Sequence, residues 1–278
     1  MPELPEVETT ARGLRASIIG RRIAAAGSMD WPRMIPNSTP EQVEAAVAGR
    51  TVEGVERRGK YLLLGLSGDC WLVIHRKMSG NVTLSGPDAA AARHTHLVLW
   101  FDDETQLRFV DPRKFGRIYL FPARAALDAF LLGRLGPEPL DDLTAAGLRE
   151  RLARRRARLK SLLLDQSFLA GIGNLYADEI LWEARLHPAR SAQSLTARER
   201  SRLLDATQRV LLGAILRRGT SVSDYVDANG ERGQNQDFLQ VYGREGLPCP
   251  RCGRPIIRQV IAQRGTWFCP GCQRVRRP

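Results

Sequence analysis

The sequence predicts an α+β, multidomain chain: an N-terminal helix with an antiparallel β-sandwich or barrel, a helical region, and a short C-terminal hairpin stapled by a metal. Three observations predict it. Strand-length apolar runs divided by turn signals extend to residue 121, helical periodicity takes over beyond a Gly/Pro-rich stretch, and four of the five cysteines fall in two Cys-x-x-Cys pairs near the end.

The first helix is predicted over residues 3–18, because Leu4, Val7, Ala11, Leu14 and Ile18 recur at three- and four-residue steps. Strands follow at Tyr61 to Leu66, Trp71 to Arg76, His96 to Phe101, Gln106 to Val110 and Arg117 to Phe121, with turn signals such as Asp102-Asp103-Glu104 between them. Cys70, alone at the head of an apolar run, reads as a free strand thiol. Gly133 to Asp142 is rich in Gly and Pro and precedes the change of period, so it reads as a linker. The basic run Arg151 to Lys160 reads as a solvated helix face, though its sign agrees with the positive excess of the whole chain. The clearest later helix starts at the capping box Thr196-Ala-Arg-Glu199, carries Leu203, Leu204, Val210, Leu211 and Ile215 on one face, and stops at Gly219. The resulting division is 1–132, a linker at 133–143, 144–245 and 246–278.

The chain has 278 residues, 43% hydrophobic and 26% charged, enough for two cores. Its formal charge of +12 calls for a polyanionic partner. Nucleic acid is favoured over a membrane, since no run approaches the roughly eighteen apolar residues of a spanning helix. No signal peptide opens the sequence, so a cytoplasmic protein is expected.

Pro2-Glu3-Leu-Pro-Glu6 concentrates chemistry. With Met1 removed, Pro2 becomes a secondary amine that titrates near 8, about two to three units below a lysine. Such an amine can attack a carbon, and with a sugar aldehyde it gives an iminium, which is an electron sink for elimination. Glu3 and Glu6, one helical turn apart, can move protons. An ordinary helix start would use the same residue types.

At the other end, Cys249-x2-Cys252, sixteen residues, and Cys269-x2-Cys272 match one tetrahedral Zn2+ site with four thiolates. Such a site has no open position, so the zinc is structural. Residues 246–278 hold seven arginines and no acid, which suits phosphate contacts, with Arg264 near the tip of the hairpin.

Taken together, Pro-Glu-Leu-Pro-Glu-Val-Glu, Arg57-Arg-Gly-Lys60-Tyr-Leu, Met78-Ser-Gly, Asp111-Pro-Arg113-Lys-Phe115-Gly, Gly171-Ile-Gly-Asn174-Leu-Tyr-Ala and the terminal cysteines resemble the formamidopyrimidine-DNA glycosylase family over nearly the whole chain. The resemblance implies a catalytic β-sandwich at 1–132, a helix–two-turn–helix DNA-binding domain at 144–245 and a zinc-finger hairpin at 246–278. It implies a monomeric glycosylase and AP lyase of the bacterial cytoplasm or nucleoid, acting on oxidised purines (8-oxoguanine, formamidopyrimidines) or abasic sites in double-stranded DNA. By that analogy Pro2 attacks C1′, Glu3 is the acid or base, and Glu6 organises the site around the amine. Met78, Arg113 and Phe115 fill the place of the extruded base, and Lys60, Asn174 and Arg264 hold phosphates.

Two departures stand out. Arg76 and Lys77 precede Met78 where an apolar residue and a glycine are expected, which makes the wedge more cationic. The loop implied to fold over an everted purine reads Gly219 to Tyr225 through Gln236, with Gln234 and Asn235 where an aromatic is common. Two other readings compete: an endonuclease VIII-like glycosylase for oxidised pyrimidines, which Leu4 in Pro-Glu-Leu-Pro and the intact Met78, Arg113 and Phe115 argue against, and a non-catalytic zinc-finger binder of damaged DNA, which has no need of a Pro2-Glu3 pair.

Overall fold

The structure is a computed structural model that describes residues 2–90, 92–153 and 155–275. The chain forms two compact units. The first comprises the chain up to Leu132 together with Arg217–Gln236, and the second comprises Gly133–Leu216 and the chain from Asp237 onward.

In the first unit α1 spans Leu4–Ile18 with Glu3 as N-cap and Pro5 in the first turn, where a missing N–H costs nothing. Its apolar stripe, Leu4, Val7, Ala11, Leu14 and Ile18, is wholly buried, and each large side chain contributes about 1.5–3 kcal/mol through burial. After it come β1 (Ile23–Gly27), α2 (Pro40–Val47), β2 (Val52–Arg58), β3 (Tyr61–Leu66), β4 (Cys70–His75), β5 (Asn81–Ser85), β6 (Thr95–Phe101), β7 (Gln106–Val110), β8 (Arg117–Phe121) and α3 (Arg124–Leu131). They build two antiparallel four-stranded sheets, ordered β1-β6-β7-β5 and β2-β3-β4-β8. A single core joins α1 to both sheets through Leu14, Leu62, Leu64, Ile74, Leu99 and Phe109, so the β architecture is a sandwich.

The five expected strands are present within one residue at each end. Three strands were not expected, β1, β2 and β5, and all three are sheet edges. Edge strands are short and half exposed, so they lack a strong apolar alternation. Cys70 is a buried free thiol, and burial pushes its pKa up.

The second unit contains α4 (Ala145–Ala153), α5 (Leu159–Leu164), α6 (Asn174–Glu183), α7 (Ala197–Leu216) and the hairpin β9 (Ile257–Ile261) and β10 (Arg264–Phe268). Thr196 and Glu199 form the expected capping box at α7. Gly136 and Ala170 form backbone bonds to Gln166 and Pro137, so the Gly/Pro-rich stretch is tied into this unit. The basic run is not one solvated helix face. It straddles the break between α4 and α5, and Lys160, fully buried, pairs with the equally buried Asp178 at 2.6 Å.

Candidate active site

Pro2, Glu3 and Glu6 are all buried at the start of α1. One Glu6 oxygen accepts the Glu3 N–H at 2.8 Å, the reach-back half of a capping box. The other accepts the Thr220 N–H, also at 2.8 Å, which brings the 217–236 segment onto the helix start. The Tyr225 hydroxyl donates to the Glu6 carbonyl at 3.4 Å. Gly219, at φ +80, lies so close to Glu6 that a Cβ there would come within 3.0 Å of its side chain.

Lys60 lies in the two-residue turn between β2 and β3, where Arg58 pairs with Tyr61 and Gly59 has φ +56. It is buried, which lowers its pKa, while the Glu3 and Glu6 carboxylates oppose that shift. Glu3, Glu6 and Lys60 thus share one electrostatic neighbourhood, and Pro2 is the chain neighbour of Glu3. His75, opposite Tyr61 in the sheet, packs edge-on against its ring at 4.6 Å. Burial, aided by Lys77 and Lys60, lowers the His75 pKa to about 3, so it is a neutral acceptor for the Lys77 N–H.

Met78 and Phe115 are 45% and 43% exposed, unusual for side chains of this size. They stand on separate turns that one buried carboxylate joins. Asp111 accepts the Ser79 hydroxyl at 2.5 Å and the Gly116 N–H at 2.7 Å, with the Arg113 N–H at 3.3 Å. Both turns also rest on the Phe109 ring, which a Cβ at Gly80 or Gly116 would approach within 2.5 or 2.3 Å. The Arg113 guanidinium covers the Phe115 ring at 4.9 Å.

The expected cationic wedge is corrected at Arg76. That side chain is only 1% exposed and turns inward, where it donates to Thr10 and Gly80, so it adds no charge to the wedge surface. Asn235 is likewise internal, donating to the Thr220 hydroxyl at 2.8 Å, whereas Gln234 is exposed.

In the second unit Asn174 opens α6 after Gly173 and donates its side-chain amide to the Gly265 carbonyl at 3.0 Å. Arg264 starts β10 directly after a two-residue turn, Ala262-Gln263, with both φ values positive. It is exposed at the hairpin tip. The Lys160–Asp178 pair fixes the elements that carry these two residues. Lys160 Nζ donates to the Asn174 carbonyl at 2.9 Å, and Asp178 accepts the Trp267 N–H at 3.1 Å.

At the other end of the hairpin the Sγ atoms of Cys249, Cys252, Cys269 and Cys272 all lie within 4.8 Å of one another. Zn–S bonds of about 2.3 Å in a tetrahedron require S···S separations near 3.8 Å. The Cys249–Cys272 and Cys252–Cys269 separations are 3.9 and 3.4 Å, so the set fits one structural zinc ion.

Sequence reasoning missed Asp111 as a link, His75, Tyr225 and the inward Arg76. Asp111 was legible only as part of its motif. Tyr225 and the inward Arg76 depend on long-range partners and leave no local signal, and His75 depends on its sheet neighbour Tyr61 as well as on Lys77.

Three family models match in order: the formamidopyrimidine-DNA glycosylase N-terminal domain at residues 1–118, the H2TH domain of the same glycosylase at 135–226, and a zinc finger found in FPG and IleRS at 246–275. A formamidopyrimidine-DNA glycosylase of Herpetosiphon aurantiacus is 48% identical over 98% of this chain and 100% of its own. That of Enterococcus faecalis is 42% identical over 99% and 98%. The chain is also similar to Lactococcus lactis Fpg in complex with DNA containing an abasic site, with TM-score 0.92 and 39% identity, covering 98% of this chain and 100% of that one. A mutant of the L. lactis protein in complex with Fapy-dG-containing DNA gives TM-score 0.92 and 38% identity, covering 99% and 100%.

Proposed function

The chain belongs to the formamidopyrimidine-DNA glycosylase family, and on that premise we propose that Pro2 is the nucleophile with which it excises oxidised purines from duplex DNA and then cleaves the strand. As a DNA glycosylase and AP lyase of base excision repair, it must reach a base that is inaccessible inside the helix. Extrusion costs about a few kcal/mol, and the vacancy must be filled. Met78 and Phe115 supply apolar wedges, and Arg113 supplies donors for the orphaned opposite base.

The observation that carries the proposal is the burial of Pro2 with Glu3 and Glu6 at one helix start, in the field of a buried lysine. With Met1 removed, the Pro2 nitrogen lone pair attacks C1′, the base leaves with its bonding electrons, and the departing base takes up the proton that the amine nitrogen sheds. Glu3 donates a proton to the ring oxygen as the sugar opens, leaving an iminium at C1′. Glu3 then accepts a C2′ proton. The electron pair from that C–H bond expels the 3′ phosphate, and a second elimination expels the 5′ phosphate. Glu6 holds the helix start and the 217–236 segment in place. Lys60, Asn174 and Arg264 bind the phosphates flanking the lesion, and the zinc ion holds the hairpin that presents Arg264.

The same reading assigns residues 1–132 to catalysis, treats 133–143 as a linker, assigns 144–245 and 246–278 to DNA binding, and puts the protein in the bacterial cytoplasm at the nucleoid. Borohydride trapping on a duplex with 8-oxoguanine opposite cytosine, followed by peptide mapping, tests the proposal. An adduct at Pro2 is expected. An adduct formed only with an oxidised pyrimidine would reassign the substrate, and an adduct mapped to a lysine would overturn the Pro2 assignment.

A further inference from the structure

We propose that Arg76 is a positioning residue for base recognition: it locks the 217–236 segment to the catalytic helix and the Met78 turn, so that lesion excision depends on it and strand cleavage at a preformed abasic site does not. This rests on the Pro2 reading and extends it to a residue that touches neither sugar nor phosphate.

The Arg76 guanidinium spends its donors on three separate stretches of the first unit. Nε donates to the Gly80 carbonyl at 2.7 Å, closing the turn that presents Met78. Nη1 donates to the Thr10 hydroxyl at 2.7 Å and reaches the Glu6 carbonyl at 3.5 Å, both on α1. Nη2 donates to the Asn81 side-chain oxygen at 2.6 Å and to the Val226 carbonyl at 3.3 Å. Its Cζ lies 5.1 Å from the centre of the Tyr225 ring. Asn81 in turn donates to the Asp224 carbonyl at 2.7 Å, and the Leu84 N–H binds the Ala228 carbonyl, so the segment is laid along the β5 edge.

Every one of these acceptors is neutral. The Glu6 and Asp227 carboxylates act on the cation only through space, against the cost of its burial, so it gives little net stability. What a rigid fork of five donors supplies instead is simultaneous registration of three backbones.

The segment so held returns to the helix start through Thr220, and at its tip Val222 is 59% exposed. It is therefore placed to contact an extruded base beside Pro2. Once the base is gone, elimination needs only the amine, the acid and the phosphate contacts.

The test compares full-length, zinc-loaded wild type with Arg76→Met and Arg76→Lys in single-turnover assays. One duplex carries 8-oxoguanine and the other a preformed abasic site. Arg76→Met should slow excision about tenfold or more while abasic cleavage changes less than about threefold, with partial rescue in Arg76→Lys. Equal losses in both assays, or no loss in either, overturn the proposal. Should Arg76→Met fail to give a cooperative melt, Asn81→Ala is read instead. It leaves the guanidinium on α1 and should show the same split, and an equal loss there also overturns the proposal. Wild type that forms no borohydride adduct at Pro2 on the abasic duplex would sink the underlying reaction instead, so the two failures are distinguishable.

Discussion

Thr220 donates its backbone N–H to the Glu6 carboxylate at 2.8 Å, joining residues 214 positions apart. Glu6 also holds the Glu3 N–H, so one side chain sets both the start of the catalytic helix and the return of the 217–236 segment. Glu6→Gln replaces one acceptor oxygen with a donor facing a donor. Charge-assisted bonds of this kind contribute about 1.5–3 kcal/mol, so single-turnover excision should fall roughly 10- to 100-fold. A wild-type rate would mean that the tie is dispensable.

Asp111 joins the Met78 turn to the Phe115 turn through Ser79 and Gly116. Asp111→Ala leaves buried donors unpaired, costing about 1–3 kcal/mol and lowering Tm by several degrees. Because the Met78 and Phe115 turns then move independently, the proposed wedge should discriminate less, and preference for lesion-containing over undamaged duplex should narrow in competition binding. A lowered Tm with intact preference would confine Asp111 to stability.

Burial lowers the Lys60 pKa below its ordinary 10.5, with Glu3 and Glu6 opposing the shift. Between the lowered value and 10.5 the unfolded chain binds more protons than the folded one, so stability rises with pH across that window. Lys60→Met should flatten the alkaline rise expected in denaturant titration and cut turnover by about a hundredfold through loss of the proposed phosphate contact. An unchanged pH slope would show that Lys60 is not the group responsible.

Lys160 and Asp178 are both 0% exposed, so removing one partner strands a buried charge. Lys160→Met or Asp178→Leu alone should cost about 3–5 kcal/mol, and the double variant should cost much less than their sum. Additive losses in chemical denaturation would argue against a coupled pair.

Zinc removal should unfold the C-terminal hairpin, since metal binding at such sites supplies on the order of 10 kcal/mol of folding free energy. Duplex affinity should collapse while the apolar core of the first unit still melts cooperatively. A chelated protein that keeps its affinity would contradict the role given to Arg264.

The sequence by itself determined the central strands, the first and last long helices and the candidate chemistry-bearing residues, but not the edge strands β1, β2 and β5. Central strands such as Tyr61–Leu66 announce themselves by apolar content, the α7 start by its capping box, the zinc site by cysteine spacing, and the catalytic end by an amine flanked by two acids. Each of these signals lies within a few turns of chain. Only the tertiary structure decided that Arg76 faces inward, that Lys160 is buried, that Asp111 joins two turns and that Glu6 meets Thr220. A charged residue reads from sequence as solvated, because burial of a cation is favourable only when distant backbone carbonyls or a carboxylate converge on it. That convergence belongs to the folded chain and not to any local run of residues.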